Sequence, residues 1–252
     1  MEEKILIACG GVALRMNGWD STKCLLPIPS NHQQEGLSET LIERLVRQLD
    51  MCGIQKSSIT LILGYKASEV QKVIPWLSTI TIKNPGCPES IMTGIRDALE
   101  QLPDLDRYTI IMGDTIWDPT VLFQVFWDWS TRPSGIAFFG NPPDHGEMYA
   151  MRIVSDAGNA YLRDILSRQP DLFTCYGTKF AYLKSKKQKQ KVLPFNLCRI
   201  NDFYRHMQTT IGSSIKKVQL TGVKDIDNDV QYHNVVRDIR KGVYALDMPD
   251  KL

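Results

Sequence analysis

The chain has 252 residues, and its 30 Lys plus Arg against 28 Asp plus Glu leave a formal charge of only +2. With 43% hydrophobic and 23% charged residues, this is the composition of a globular protein able to bury a large core. The near-zero balance offers no broad basic field, which argues against nucleic-acid binding driven by phosphate contacts. No run approaches the roughly 20 apolar residues of a membrane span. The six cysteines (Cys9, Cys24, Cys52, Cys87, Cys175 and Cys198) show no CxxC pair and no zinc-like spacing with histidine. They read as reduced, mostly buried thiols. Together with the acidic start Met1-Glu2-Glu3-Lys4, they point to the cytoplasm.

The first half alternates two periodicities. Lys4–Cys9 is an apolar strand ended by Gly10-Gly11, and Ser38 is placed to cap a helix with Leu41, Ile42, Leu45, Val46 and Leu49 on one face and Gly53 as its stop. Ile59–Leu63 reads as a buried strand followed by Gly64-Tyr65, a short helix from about Ser68 to Ile74, and a strand at Thr79–Lys83. Ser90–Leu102 reads as a helix, and Tyr108–Met112 as a strand ended by Gly113-Asp114. Later come strands at Gly135–Phe139 and Met148–Ile153, a helix at Ala160–Leu166, a strand at Lys216–Leu220, and a final amphipathic helix over Asp229–Arg240. The β-α-β-α-β order predicts an α/β fold, a mostly parallel central sheet covered by helices, in one domain over residues 1–252. Such sheets bind ligands beyond the carboxyl ends of their strands. The stretches of interest are therefore 10–23, 64–66, 84–90 and 113–118.

The richest of these is Ile7–Ile28, IACGGVALRMNGWDSTKCLLPI. Glycines at a strand exit let backbone N–H groups approach a ligand. Arg15 offers a planar fork of donors to phosphate oxygens, and Lys23 a compact point charge. Neither the dinucleotide fingerprint G-x-G-x-x-G nor the P-loop pattern occurs. Further along, Asp114 follows a buried strand and a glycine, while late in the chain Asp225 and Asp227 flank Ile226 and share one side of an extended segment. Carboxylates so placed suit Mg²⁺ beside a phosphate, although Asp114 equally suits a turn, and Asp229 reads as the cap of the last helix.

These motifs resemble the nucleotidyltransferases with a glycosyltransferase-A-like fold. Gly10, Gly11, Arg15 and Met16 are most similar to the molybdenum-cofactor guanylyl- and cytidylyltransferases. Lys23-Cys24-Leu25-Leu26-Pro27-Ile28 and the strand ending in Gly64-Tyr65 are closer to the sugar-1-phosphate and phosphocholine branches. The resemblance spans roughly residues 4–120 and returns near 225–238. Two departures stand out: ACGGVALR replaces the stricter AAGxGxR, and Thr22 stands where a proline often precedes the lysine.

The resemblance implies a three-layer α/β/α Rossmann-like domain whose first 120 residues or so bind nucleotide and whose remainder binds the acceptor. It implies an enzyme that transfers NMP from an NTP, CTP or UTP favoured, to a sugar-1-phosphate or phospho-alcohol, releasing pyrophosphate, in surface glycan synthesis. Arg15 and Lys23 are then catalytic, and Cys9, Gly10, Gly11, Ser90 and Gly94 bind nucleotide. Asp114 and Asp227 hold Mg²⁺ (Mn²⁺ being the other candidate), with Asp225 as the alternative to Asp227. Ser90 also reads as a helix cap and Gly94 as a packing glycine. The partners expected are a nucleoside triphosphate and a small phosphorylated acceptor, with no nucleic acid and no membrane span. A molybdopterin cytidylyl- or guanylyltransferase is the second reading, and a non-catalytic nucleotide sensor the third. Trp117 reads either as core or as an aromatic border to the acceptor pocket, and the Lys184–Lys191 run as a solvated loop.

Overall fold

Ile59–Leu63 is a run of five apolar or β-branched residues, all of them buried. A strand with no wet face must lie inside a sheet covered on both sides, and that is where it sits. The computed structural model describes residues 3–10, 16, 18–30, 39–82, 91–102, 107–130, 136–140, 148–153, 204 and 215–244.

Its central sheet has the order β10-β8-β9-β6-β1-β4-β5. These strands are β1 (Glu3–Ala8), β4 (Ile59–Leu63), β5 (Ser78–Thr81), β6 (Arg107–Met112), β8 (Ile136–Gly140), β9 (Met148–Ile153) and β10 (Ile215–Gln219). β1 pairs in parallel with β4 and β6, β4 with β5, and β10 with β8. β9 alone of the seven runs antiparallel, to both β6 and β8. The sheet is therefore mostly parallel, as expected. The chain steps from β1 outward through β4 to β5, then returns to the other side of β1 as β6. That reversal opens a crevice at the carboxyl end of β1.

Alternate strand residues build two cores. Ile5, Ile7, Leu61, Leu63 and Ile111 face one side of the sheet, where α1 (Leu41–Met51) and α4 (Pro119–Ser130) pack through Ile42, Leu45, Leu49, Leu122 and Phe126. Leu6, Ile62 and Ile110 face the other side, where α3 (Ile91–Gln101) packs through Ile95, Ala98 and Leu99. Gly94 lies on this contact: a Cβ there would sit 3.4 Å from Ile62 and Ile82 side chains. This contact fits its reading as a packing glycine. α2 (Ala67–Val73) follows β4.

The helix expected from Ser38 begins instead at Leu41, with Thr40 as its cap. Thr40 Oγ1 accepts from Glu43 N–H, and the Glu43 carboxylate accepts from Thr40 N–H, a reciprocal capping box. Two ribbons of very short strands complete the frame: β2 (Pro27–Ile28) with β3 (Glu39–Thr40), and β7 (Thr115–Trp117) with β11 (Val223–Asp225), both antiparallel. The last helix, α5 (Asp229–Arg240), spans the range expected, but its cap is Asn228 rather than Asp229: Asn228 Oδ1 accepts from Gln231 N–H at 3.0 Å. A third apolar cluster binds α5 to the early chain, with Met16, Leu26, Ile28, Leu41, Ile116 and Ile226 packed on Val235, Val236 and Ile239. Trp117 is fully buried, and its indole N–H donates to Thr115 Oγ1 at 2.8 Å. It belongs to the core. The helix expected at 160–166 and the Lys184–Lys191 run lie outside the described residues.

Candidate active site

Three strand exits align across the crevice. Cys9 N–H donates to Ile62 C=O at 2.9 Å, and Gly113 N–H donates to Ala8 C=O at 3.0 Å. The chains leaving β1, β4 and β6 thus start from one level. They run close together: a Cβ on Gly64 would lie 2.8 Å from Gly10 Cα, and one on Gly113 would lie 2.8 Å from Cys9 Sγ. Only glycine permits backbones to pass at such distances.

After Gly10 the chain comes back to the sheet at Thr22, whose hydroxyl donates to Cys9 C=O at 2.9 Å. A single 3-10 turn, Lys23–Leu25, follows, closed by Leu25 N–H to Thr22 C=O and Leu26 N–H to Lys23 C=O. The turn is anchored by Cys24 and Leu25 in the core. Asp20 and Ser21 are tied to the start of α2, where Tyr65 Oη donates to Asp20 Oδ1 at 3.0 Å and Ser21 Oγ to Glu69 Oε2 at 2.6 Å.

Lys23, so held, extends across the crevice. Its ammonium donates to Asp114 Oδ2 at 3.2 Å and to Asp227 Oδ1. Asp114 comes from the turn between β6 and β7. Asp227 arrives from the far end of the chain because β11 pairs with β7, Asp225 opposite Thr115. Ile226 N–H then donates to Asp114 C=O at 3.2 Å, and the buried Ile226 side chain pins the crossing. Asp227 N–H donates to Gln231 Oε1 at 2.7 Å, so the first turn of α5 holds that carboxylate's backbone in place. Burial is the strongest single influence on Lys23 and disfavours its charge. The carboxylates of Asp114, Asp225 and Asp227 together outweigh it and hold the ammonium's pKa above the ordinary lysine range.

The two carboxylates converge on one point and offer only oxygen, the donor type Mg²⁺ and Mn²⁺ prefer. Among the described residues no group of three or more His, Cys, Asp or Glu side chains gathers to hold a metal ion unaided. The two carboxylates fit an ion whose remaining ligands include substrate phosphates and water.

Lys23, Asp114 and Asp227 are thus brought together, with Asp225 beside them. Cys9 is buried, and its main-chain N–H and C=O both bond within the protein. Gly10 packs along Gly64. Gly11, Arg15 and Ser90 lie outside the described residues. Sequence reasoning noted Thr22 only as a departure from a proline and passed over Gln231; these residues fix Lys23 and Asp227. The signal for Gln231 was its place three residues after Asn228, the spacing of a helix N-terminus. A cavity of about 330 Å³ is lined by Met16, Trp19, Leu26, Pro27, Tyr232 and His233 among others. Tyr232 Oη closes one wall by donating to Pro27 C=O at 2.7 Å.

Comparison with known proteins agrees with this architecture. The model of the MobA-like NTP transferase domain family matches residues 5–168. No curated protein matches the chain in sequence. Among solved structures, a nucleotidyl transferase from Methanothermobacter is 14% identical, with 95% of this chain and 98% of that chain covered and a TM-score of 0.64. The CTP:phosphocholine cytidylyltransferase of Streptococcus pneumoniae is also 14% identical, covering 94% and 99% with a TM-score of 0.53. Rv0371c of Mycobacterium tuberculosis, in complex with manganese, is 14% identical, covering 94% and 98% with a TM-score of 0.51. At such identities the likeness speaks for the fold, which is glycosyltransferase-A-like. The family match, extending over well more than half of the chain, says more: this protein belongs to the MobA-like NTP transferases and is an enzyme of that kind.

Proposed function

We propose that the enzyme transfers NMP from a nucleoside triphosphate to a small phosphorylated acceptor, a sugar-1-phosphate or phospho-alcohol, with release of pyrophosphate. The observation that carries this reading is the meeting of Lys23, Asp114 and Asp227 at the carboxyl ends of β1 and β6. An acceptor phosphate oxygen attacks the α-phosphorus, a new P–O bond forms, and the bond to the β-phosphate oxygen breaks with its electron pair. The acceptor is already anionic near neutral pH, since a phosphate monoester has a second pKa of about 6. No side chain has to remove a proton, and catalysis rests on alignment and charge.

In this scheme Lys23 neutralises charge growing around the α-phosphate. Arg15 holds the leaving pyrophosphate, a role that rests on the resemblance of its motif. Asp114 and Asp227 hold Mg²⁺ or Mn²⁺, and the ion, when bound, draws charge from the phosphate oxygens. CTP is the first triphosphate to try, followed by UTP, because a protein of this fold is a CTP:phosphocholine cytidylyltransferase. Manganese in another makes it the natural second metal. No helix among the described residues is long and apolar enough to cross a membrane. A cytoplasmic setting is what the cysteine pattern leads us to expect, and a part in glycan synthesis what the family resemblance does.

The match to a MobA-like family model favours a second reading, in which the acceptor phosphate belongs to molybdopterin. One assay separates the two: pyrophosphate release, with the four triphosphates crossed against sugar-1-phosphates, phosphocholine and molybdopterin. We expect turnover with a sugar-1-phosphate or phospho-alcohol, and loss of it by a factor of about 10² or more in Asp114→Asn. Turnover with molybdopterin alone would transfer the assignment to the second reading. Undiminished turnover in a folded Asp114→Asn protein would remove that residue from the site.

A further inference from the structure

Lys23 and the two carboxylates have separate tasks in the proposed reaction, yet here they are engaged with one another. The ammonium lies 3.2 Å from Asp114 Oδ2 and is hydrogen-bonded to Asp227 Oδ1. It occupies the point on which both carboxylates converge, where a shared cation would stand. The arrangement is built in. Lys23 is only 9% exposed, its turn is locked to β1 through Thr22 Oγ1 and Cys9 C=O, and Asp227 is fixed by Gln231 and the β7–β11 ribbon. Two carboxylates brought this close repel unless a cation lies between them.

We propose that Lys23 is the resident counter-ion of the metal site. In the nucleotide-free protein it keeps Asp114 and Asp227 together. It gives up both carboxylates when a metal–nucleotide complex enters, its ammonium passing to the phosphates. This inference rests on the nucleotidyl-transfer reading of the same site. It has a direct consequence. A free divalent ion must displace a buried ammonium without offering it any other anion, so metal alone binds weakly. A triphosphate supplies that anion, so metal and nucleotide bind with positive coupling, each strengthening the other by the same factor.

The test measures metal binding rather than turnover. Mn²⁺ is titrated into nucleotide-free protein, and free Mn²⁺ is followed by electron paramagnetic resonance. Lys23→Met, which keeps the buried stem and removes the charge, should bind Mn²⁺ at least tenfold more tightly than the natural protein. Adding Asp227→Asn to it should abolish the gain. A second measurement uses the unaltered chain, should the variant fail to fold. Amine labelling of Lys23, read by mass spectrometry, should be slow without metal and several-fold faster at saturating Mn²⁺. Equal Mn²⁺ affinity in folded Lys23→Met and natural protein would overturn the proposal, as would labelling of Lys23 indifferent to Mn²⁺. If neither protein binds Mn²⁺ even with a non-hydrolysable triphosphate present, the metal-site reading falls as well, which distinguishes the two failures.

Discussion

Gly113 shows how little space separates the chemistry from the sheet. A methyl group there would lie 2.8 Å from Cys9 Sγ and 3.0 Å from Ala8 C=O, and the carbonyl is main chain that cannot turn aside. Gly113→Ala should therefore cost roughly 1–3 kcal/mol and push Asp114 off Lys23. Thermal unfolding and pyrophosphate release measured together would show both effects. A normal midpoint with normal turnover would mean that β6 and β1 separate more easily than their register suggests.

Cys9, at this contact, is one of three buried cysteines among the described residues. A hydrogen bond with Cys24, then burial, push the Cys9 thiol well above its usual range, and burial alone raises Cys52 to about 11. Since the thiolate is the reactive form, Cys9 and Cys52 should resist iodoacetamide in folded protein, as should Cys24, which is buried; all three should react on unfolding, as peptide mapping would record. At this scale the sequence singled out Lys23 and Asp114 as charged residues beyond apolar strands, and Asp227 through the family resemblance. That Lys23 would lie on both aspartates was not legible, since residues 114 and 227 meet only through pairing that neither local sequence encodes.

Between the residues and the fold stand two small elements, the β7–β11 ribbon and the first turn of α5. Asn228 caps that turn, and Gln231 reaches back to Asp227 N–H. Asn228→Ala should cost about 1 kcal/mol. Gln231→Ala should change stability less and turnover more, because it frees the backbone of Asp227. An unchanged kcat in Gln231→Ala, at unchanged stability, would show that the ribbon alone positions the carboxylate. A pH effect belongs here as well. Lys224 Nζ donates to Asp238 Oδ2 at 2.9 Å, and this hydrogen bond, against the opposing effect of burial, holds the Asp238 carboxyl below its usual range. A lowered pKa stabilises the fold at neutral pH, and that contribution is lost as acid protonates the group, at and below the ordinary Asp value of about 3.9. Asp238→Asn should flatten the loss of stability between about pH 5 and pH 3, as denaturant titrations at each pH would reveal.

Long elements were readable: Ile59–Leu63 and Asp229–Arg240 coincide with their expected spans, because each has a full period or an unbroken apolar run. Two- and three-residue strands have no period, so both ribbons escaped. The cap of α1 lies two residues beyond the expected Ser38, in the capping box Thr40-x-x-Glu43.

Across the whole molecule the early and late chain are held together at a few buried points. Arg44, 1% exposed, donates to Tyr244 C=O at 2.6 Å and pairs with Glu39, linking α1 to the turn after α5. Arg152 Nη2 donates to Glu3 Oε2 at 2.7 Å, and Nη1 donates to the carbonyls of Val125 and Phe126, so β9, β1 and α4 share one buried cation. The parallel core of the sheet followed from the alternation of strand and helix. The antiparallel β9 follows from a different constraint: the connection from residue 140 to 148 is too short for a crossover, which takes a dozen residues or more. The placing of β10 beside β8 could not be foreseen, since the chain returns there only at Ile215.

Ile226 is the residue on which this wholeness is most directly tested. It is fully buried among Met16, Leu26 and Ile116 from the first half and Val235 and Ile239 from α5, with Asp227 next to it in the chain. Ile226→Ala should cost about 3 kcal/mol through lost burial and the cavity left behind. In a chain of this length that is a fall of roughly 6–12 °C in the main unfolding transition. Were the late segment an appendage, the main midpoint would stay where it is and only a minor, earlier transition would appear. A shift of the main transition, with turnover falling in proportion to the folded fraction, is the outcome expected. The site has no meaning in either half alone, because Lys23 and Asp114 meet Asp227 only where the two ends of the chain pack as one core.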